Sequence, residues 1–256
     1  MTAQVTIFLL RCLEVASDHS GIEWTEATWN PTSGCTKVSP GCDRCYAERI
    51  TRRFPRTFPN GFALTLRPDS LDIPFRWKRP RIIFVNSMSD LFHVDVPEDY
   101  LQLVFDVMRR TPHHTYQILT KRAERLARVS SRLNWPPNVW MGVSIESSAY
   151  AWRIDYLRGV PAAIRFVSAE PLLGPLPSLN LERIDWLIAG GESQSGCRPA
   201  DLNWFRDLRD QCKAAGVAFF LKQLGGHPAK KGGDEAIVDG RRWTEMPCLK
   251  TEPALP

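Results

Sequence analysis

The sequence predicts an α/β protein, a full or partial (β/α) barrel of mostly parallel strands. Three observations lead there. From residue 21 onward, short apolar runs alternate with amphipathic helical stretches, the rhythm of parallel strands covered by helices. Of the 256 residues, 43% are hydrophobic and 24% charged, so a sizeable core can form and long disorder is not expected. Nearly every predicted strand ends in polar residues. In a barrel those ends converge on one mouth, whereas an open sheet gathers only the strands at its switch point.

The elements follow in order. "EATWN" (26–30) reads as a first strand, and "RCYAERITRRF" (44–54) as the helix after a cysteine loop. "RIIFVNS" (81–87) is a buried strand. In "PEDYLQLVFDVMRR", Leu101, Val104, Phe105 and Met108 recur at helical spacing, and Pro97 suits the first turn. "TYQILT" (115–120), "NVWMGVSI" (138–145), "AIRFVSA" (163–169) and "IDWLIAG" (184–190) are further strands, with a helix over "KRAERLARVSSRL". The helix "DLNWFRDLRDQCKAAG" turns Leu202, Phe205, Leu208 and Cys212 inward and stops at Gly216. "VAFFLKQ" (217–223) is the last strand. These elements place one barrel domain over residues 21–224, with a cysteine loop at 34–46. Residues 1–20 read as a poorly structured extension, and 225–256 as a Gly-rich, charged tail that is in part a mobile loop.

The polar strand ends are "NSMSD" (86–90), "TKR" (120–122), "SIES" (144–147), "SAEP" (168–171), "GGES" (190–193) and "KQ" (222–223). Six such ends supply candidate site residues: Asp90, Lys121, Ser144, Glu146, Glu170, Glu192 and Lys222.

Cys35, Cys42 and Cys45 lie within eleven residues, in "GCTKVSPGCDRCYAE". The chain has seven cysteines in all. The apolar stretch "VTIFLLRCL" is interrupted by Arg11 and is followed by no clear cleavage site, so no secretory signal is expected. No run approaches 18 apolar residues, so no membrane span is expected either. The expectation is a cytoplasmic protein, in which clustered thiols mean metal or catalysis rather than disulfides. The spacing C-x6-C-x2-C lacks the second pair of a structural zinc site. Three thiolates can instead hold a cubane iron–sulfur cluster and leave the fourth iron open. A zinc site completed by His93 or Cys197, and thiols without metal, are the alternatives.

Charge is uneven. The net charge is +5, yet residues 36–90 alone hold eleven Lys/Arg against five Asp/Glu. A basic face beside the cysteines suits a nucleic-acid or nucleotide substrate.

Several segments carry a family resemblance: "GIEWTEATWNPTSGCTKVSPGCDRCYAERI", "FVNSMSDLFH", "QILTKR", "GVSIES", "FVSAEPLLGP", "AGGESQSGCRP" and "FFLKQLGG". In order and linker length they resemble the phage-associated three-cysteine-motif family of bacteria and phages, over about residues 21–247. That family is related to the radical S-adenosylmethionine (SAM) superfamily, and within it is most similar to the spore photoproduct lyase group. The sequence departs from the superfamily pattern in three places. The first cysteine gap is six residues rather than three. Arg44 stands where an aromatic residue usually precedes the third cysteine. Gly190-Gly191-Glu192 lies four strands later than the usual Gly-Gly-Glu, whose place Ser87, Ser89 and Asp90 occupy.

The resemblance implies an enzyme with a [4Fe-4S] cluster on Cys35, Cys42 and Cys45 and SAM as second cofactor, served by an electron donor. Reductive cleavage of SAM would yield a 5′-deoxyadenosyl radical that abstracts a substrate hydrogen. Asp90 would then accept from the SAM amino group, Arg153 would meet its carboxylate, and Ser144 and Glu146 would take ribose hydroxyls. Lys121 would meet the carboxylate or a substrate phosphate. Glu192 and Lys222 would face substrate, and Cys197 in "SQSGCRP" would donate a hydrogen atom. Two other classes stay open: a metal-stabilised nucleic-acid-binding protein without catalysis, and a barrel hydrolase using Glu146, Glu170 and Glu192 as acid and base.

Overall fold

The computed structural model describes residues 16, 17 and 19–248. The apolar stretch around residues 5–13 lies outside the described residues, as does the end of the tail beyond 248. Seven parallel strands form one sheet: β1 (Ala27–Trp29), β2 (Ile82–Val85), β3 (Thr115–Thr120), β4 (Val139–Ser144), β5 (Ile164–Ala169), β6 (Trp186–Gly190) and β7 (Ala218–Gln223). Each strand pairs with its predecessor. The chain therefore winds in one direction, and the sheet curls into a half-barrel. Its edges are covered rather than joined. Ala16–Ser17 pairs antiparallel with β1, and Gly232 and Thr244 bridge to β7. The expected barrel is thus a partial one.

Among the described residues five longer helices follow the winding, α1 (Tyr46–Arg53), α2 (Glu98–Arg110), α3 (Ala123–Ser130), α4 (Arg153–Arg158) and α5 (Leu202–Ala215), beside a single helical turn at Ile73–Arg76. In α2 the residues Leu101, Val104, Phe105 and Met108 are all buried, as their spacing predicts. Pro97 sits one residue before the helix as its N-cap rather than inside the first turn. In α5, Phe205, Leu208 and Cys212 are buried and Gly216 is the stop. Leu202 is the exception. It is the first helical residue and 36% exposed, because the stripe meets the sheet only from the second turn on. No helix connects β5 to β6. Leu172, Leu176, Leu181 and Ile184 of that crossover are buried in its place. No helix among the described residues is long and apolar enough to cross a membrane.

Alternation along the strands separates two apolar layers. Ile83, Val85, Ile118, Met141, Val143, Val167, Leu187 and Leu221 join the large core with the helices. Phe84, Trp140, Phe166, Trp186, Ile188 and Phe220 face the other way and cluster with Trp24. Trp24 meets Phe84 edge-on at 4.8 Å, and Trp186 meets Phe220 at 6.0 Å. This aromatic plug fills the hollow of the half-barrel. The same inward register continues past it to Ser144 and Glu146, Ser168 and Glu170, Gly190 and Glu192, and Lys222. The hollow has an aromatic floor and a polar rim.

The Gly-rich stretch after β7 packs along the sheet edge. Ile237–Val238 and Arg241–Arg242 form a small hairpin, and Trp243 is buried against Phe219.

Candidate functional site

The cysteine loop leaves a short antiparallel pair, Thr32–Ser33 with Thr65–Leu66. Gly34 turns it at φ 80°, and a Cβ there would lie 2.1 Å from the Ala63 carbonyl oxygen, so only glycine passes. The Gly34 and Cys35 amides donate to the carbonyls of Met88 and Phe62, both at 3.0 Å. Pro40–Cys42 forms a single 3-10 turn, and Cys45 is the N-cap residue of α1. Cys35, Cys42 and Cys45 are all half-buried free thiols.

Three acid-centred braces tie this loop to the strand ends. The first is Glu146, 1% exposed. Ser39 Oγ donates to Glu146 Oε1 at 2.5 Å, and Arg153 Nη1 donates to Oε2 at 3.0 Å. Gly41 lies against the same side chain, and a Cβ there would come 2.4 Å from Oε1. The second is Asp90. It accepts from Thr120 Oγ1, the Phe92 and Lys121 amides, and Arg122 Nη1. Arg122 then reaches the loop, with Nη1 3.4 Å from Cys35 Sγ and Nη2 donating to Thr36 O and Oγ1 at 3.0 and 2.9 Å. The third is Glu192. It accepts from Arg44 Nη1 at 3.0 Å, from Arg198 Nη2 at 2.5 Å, and from the Arg198 amide at 2.8 Å. Arg198 Nη2 also donates to the carbonyl of Pro40 in the loop.

These contacts account for most of the expected cofactor residues. Asp90, Glu146, Arg153 and Glu192 are buried and already paired. Arg153 also donates to the Ser144 carbonyl and stacks 4.5 Å over Tyr150. Ser144 is buried beside them. Lys121 keeps more freedom, its side chain 21% exposed and Nζ 4.0 Å from Glu146 Oε1. Across the rim, Lys222 donates to Glu170 Oε1 at 2.6 Å. Cys197 is half-buried between Glu192 and Arg198, its amide bonded to the Gln194 carbonyl. His93 is buried, with Nε2 2.9 Å from Thr36 Oγ1 and Nδ1 accepting from the Asp95 amide. Sequence reasoning missed Ser39, Arg122 and Arg198 as site residues. They stand inside the motifs already singled out, yet their partners lie far off along the chain.

The electrostatics follow from the braces. Burial and then Asp90 push the Cys35 thiol up to about 11, against the pull of Arg122. Burial would raise Glu192, but hydrogen bonds from Arg198 outweigh it and hold the carboxyl below its ordinary value. Glu146, Glu170 and Glu192 each face a cation.

Among the described residues, no group of three or more His, Cys, Asp or Glu is gathered tightly enough to hold a single metal ion. A tetrahedral ion with metal–sulfur bonds of about 2.3 Å needs thiolates within about 4 Å of each other. A cubane spreads three thiolates over three irons, and three half-buried thiols of one loop are a donor set it can use. A surface cleft of about 320 Å³ is lined by Leu179, Gln211 and Ala215. It lies by the C-terminal end of α5, at the opposite end of the strands from the cysteines.

A family model described as "Protein of unknown function (DUF5131)" matches residues 19–247. The chain belongs to the DUF5131 family. The match spans all seven parallel strands and the cysteine loop, so half-barrel and loop together are what the DUF5131 model covers. No curated protein and no solved structure matches the chain significantly.

Proposed function

We propose that this DUF5131 chain is an iron–sulfur enzyme of the radical SAM type acting on a nucleic-acid or nucleotide substrate. One observation carries the reading: Cys35, Cys42 and Cys45 share a loop braced across the polar mouth of a half-barrel. These three thiols would hold the [4Fe-4S] cluster. When bound, the cluster and SAM supply one-electron reduction and hydrogen abstraction, given an electron donor. The chain's own part is placement. Ser39 with Glu146, Arg122 with Asp90, and Arg198 with Glu192 set the loop's height above the mouth. Lys121 is the rim cation for a carboxylate or phosphate. Glu170 and Lys222 orient polar substrate groups, and the aromatic floor keeps water from beneath them. Unpaired thiols suit a reducing cytoplasm.

The test is purification without oxygen, followed by assay of iron, sulfide and zinc, then addition of dithionite and SAM. Iron and sulfide with release of 5′-deoxyadenosine are expected. A colourless zinc protein would overturn the reading. An iron–sulfur protein that never cleaves SAM would leave only the cluster.

A further inference from the structure

The geometry points to the outer face of α1 as a binding surface for single-stranded nucleic acid. Helix α1 follows the third cysteine directly. It buries Ala47 and Thr51 and packs Ile50 toward Phe58 and Met88. The opposite face carries Tyr46, Arg49 and Arg53, one stripe at i, i+3 and i+7, all exposed. Lys37, Arg44, Arg52 and Arg56 are exposed around it. Against the six basic residues over 37–56 stand only two acids, Asp43 and Glu48. Glu48 pairs with Lys37 and Arg52.

The basic residues also shape a groove. A cleft of about 220 Å³ is lined by Lys37, Arg44, Arg49 and Arg52, with the acids Asp43 and Glu48, together with Cys45 and Ser195. It joins the cysteine loop to the loop after Glu192, where Arg49 bonds Gln194. A polyanion in this groove passes beside Cys45. Tyr46 adds what a plain charge patch lacks. Its ring is 43% exposed while its hydroxyl is tethered to the Ser87 carbonyl, so the ring is held in place for a base to stack on. Cations that track phosphates beside an aromatic platform are the recognition chemistry of single strands.

Naming the substrate class in this way rests on the proposed enzyme reading, but binding at α1 does not require a cluster. The experiment is fluorescence anisotropy of the full chain with labelled single-stranded DNA and RNA, across a salt series. Duplex DNA and phosphatidylserine-containing vesicles form separate arms. Arg49→Glu with Arg53→Glu is expected to weaken binding more than tenfold and to flatten the salt slope by about 1.4 for two lost phosphate contacts. Tyr46→Leu is expected to cost about fivefold or more, and Tyr46→Phe, which keeps the ring but loses its tether to Ser87, less than that. Arg109→Glu with Arg128→Glu, on the outer helices α2 and α3, is the charge control and should bind as the unaltered protein does. Unchanged affinity in the Arg49/Arg53 variant overturns the inference. So does tighter binding to duplex, or binding to vesicles alone. Oligonucleotide binding by an iron-free, colourless protein would sink the enzyme reading and leave this surface standing.

Discussion

Ser39 Oγ and Glu146 Oε1 meet at 2.5 Å although 107 residues separate them in the chain. The contact seats the cysteine loop on the end of β4, and the Glu146–Arg153 pair beneath it is almost wholly buried. Removing the Ser39 hydroxyl takes one hydrogen bond from a charged acceptor. Ser39→Ala should cost roughly 1.5–3 kcal/mol. Glu146→Ala should cost more, about 3–5 kcal/mol, because Arg153 stays buried without its partner. Gly41→Ala acts in the opposite sense, crowding Glu146 rather than releasing it, and should cost about 1–3 kcal/mol. Urea unfolding of the three variants checks the order.

Arg122 joins Asp90 to Cys35 and Thr36. Arg122→Ala should free the loop while most of the fold survives, since Asp90 keeps Thr120 and two backbone amides. Trypsin should then cut after Lys37 much faster than in the unaltered protein. Arg122→Lys keeps the charge but cannot bridge all three acceptors, so its cleavage rate should fall between the two. Equal rates in all three proteins would remove Arg122 from the brace.

Glu192 makes a pH prediction. Arg198 holds its folded-state pKa below the unfolded value, so the unfolded chain binds this proton more readily. The stabilisation is full above the ordinary glutamate pKa of about 4.3 and is lost as pH falls through the lower folded value. The stability gap between the unaltered protein and Glu192→Gln should therefore be constant from pH 7 to about pH 5 and shrink below that. Denaturant titrations at several pH values measure it. A gap that instead grew on acidification would contradict the assignment.

Cys212 provides a contrast with the loop thiols. It is fully buried in α5, and burial pushes its thiol up to about 12. The thiolate is the reactive form, so iodoacetamide at mildly alkaline pH should label exposed Cys248 and spare Cys212 until urea unfolds the chain. Peptide mass spectrometry resolves the two. On the proposed cluster reading, Cys212→Ala should leave iron content unchanged, whereas alanine at Cys35, Cys42 or Cys45 should abolish it.

Local signals carried much of the architecture. The seven parallel strands and four of the helices were legible because apolar spacing and strand-end polarity are properties of neighbours a few residues apart, whereas the short helix Arg153–Arg158 has too few turns to show a stripe. Period-two alternation likewise put Ser144 with Glu146, and the close spacing of Cys35, Cys42 and Cys45 exposed the thiol cluster. One inward position failed at Leu202, because periodicity marks a helix face and not how much of that face meets the sheet.

The sequence by itself thus determined the seven parallel strands, four of the helices, their order, the polar mouth and the three-thiol loop. Tertiary structure alone decided that the barrel is half of one, since closure depends on which segments cover the edges of β1 and β7. It also decided what the acids do. The identities of Asp90, Glu146 and Glu192 were plain, but each is turned to an arginine and to the cysteine loop. Those contacts join residues tens to more than a hundred positions apart. Spacing along a chain can show which side chains share a face; only the folded path of the loop across that face settles what they touch.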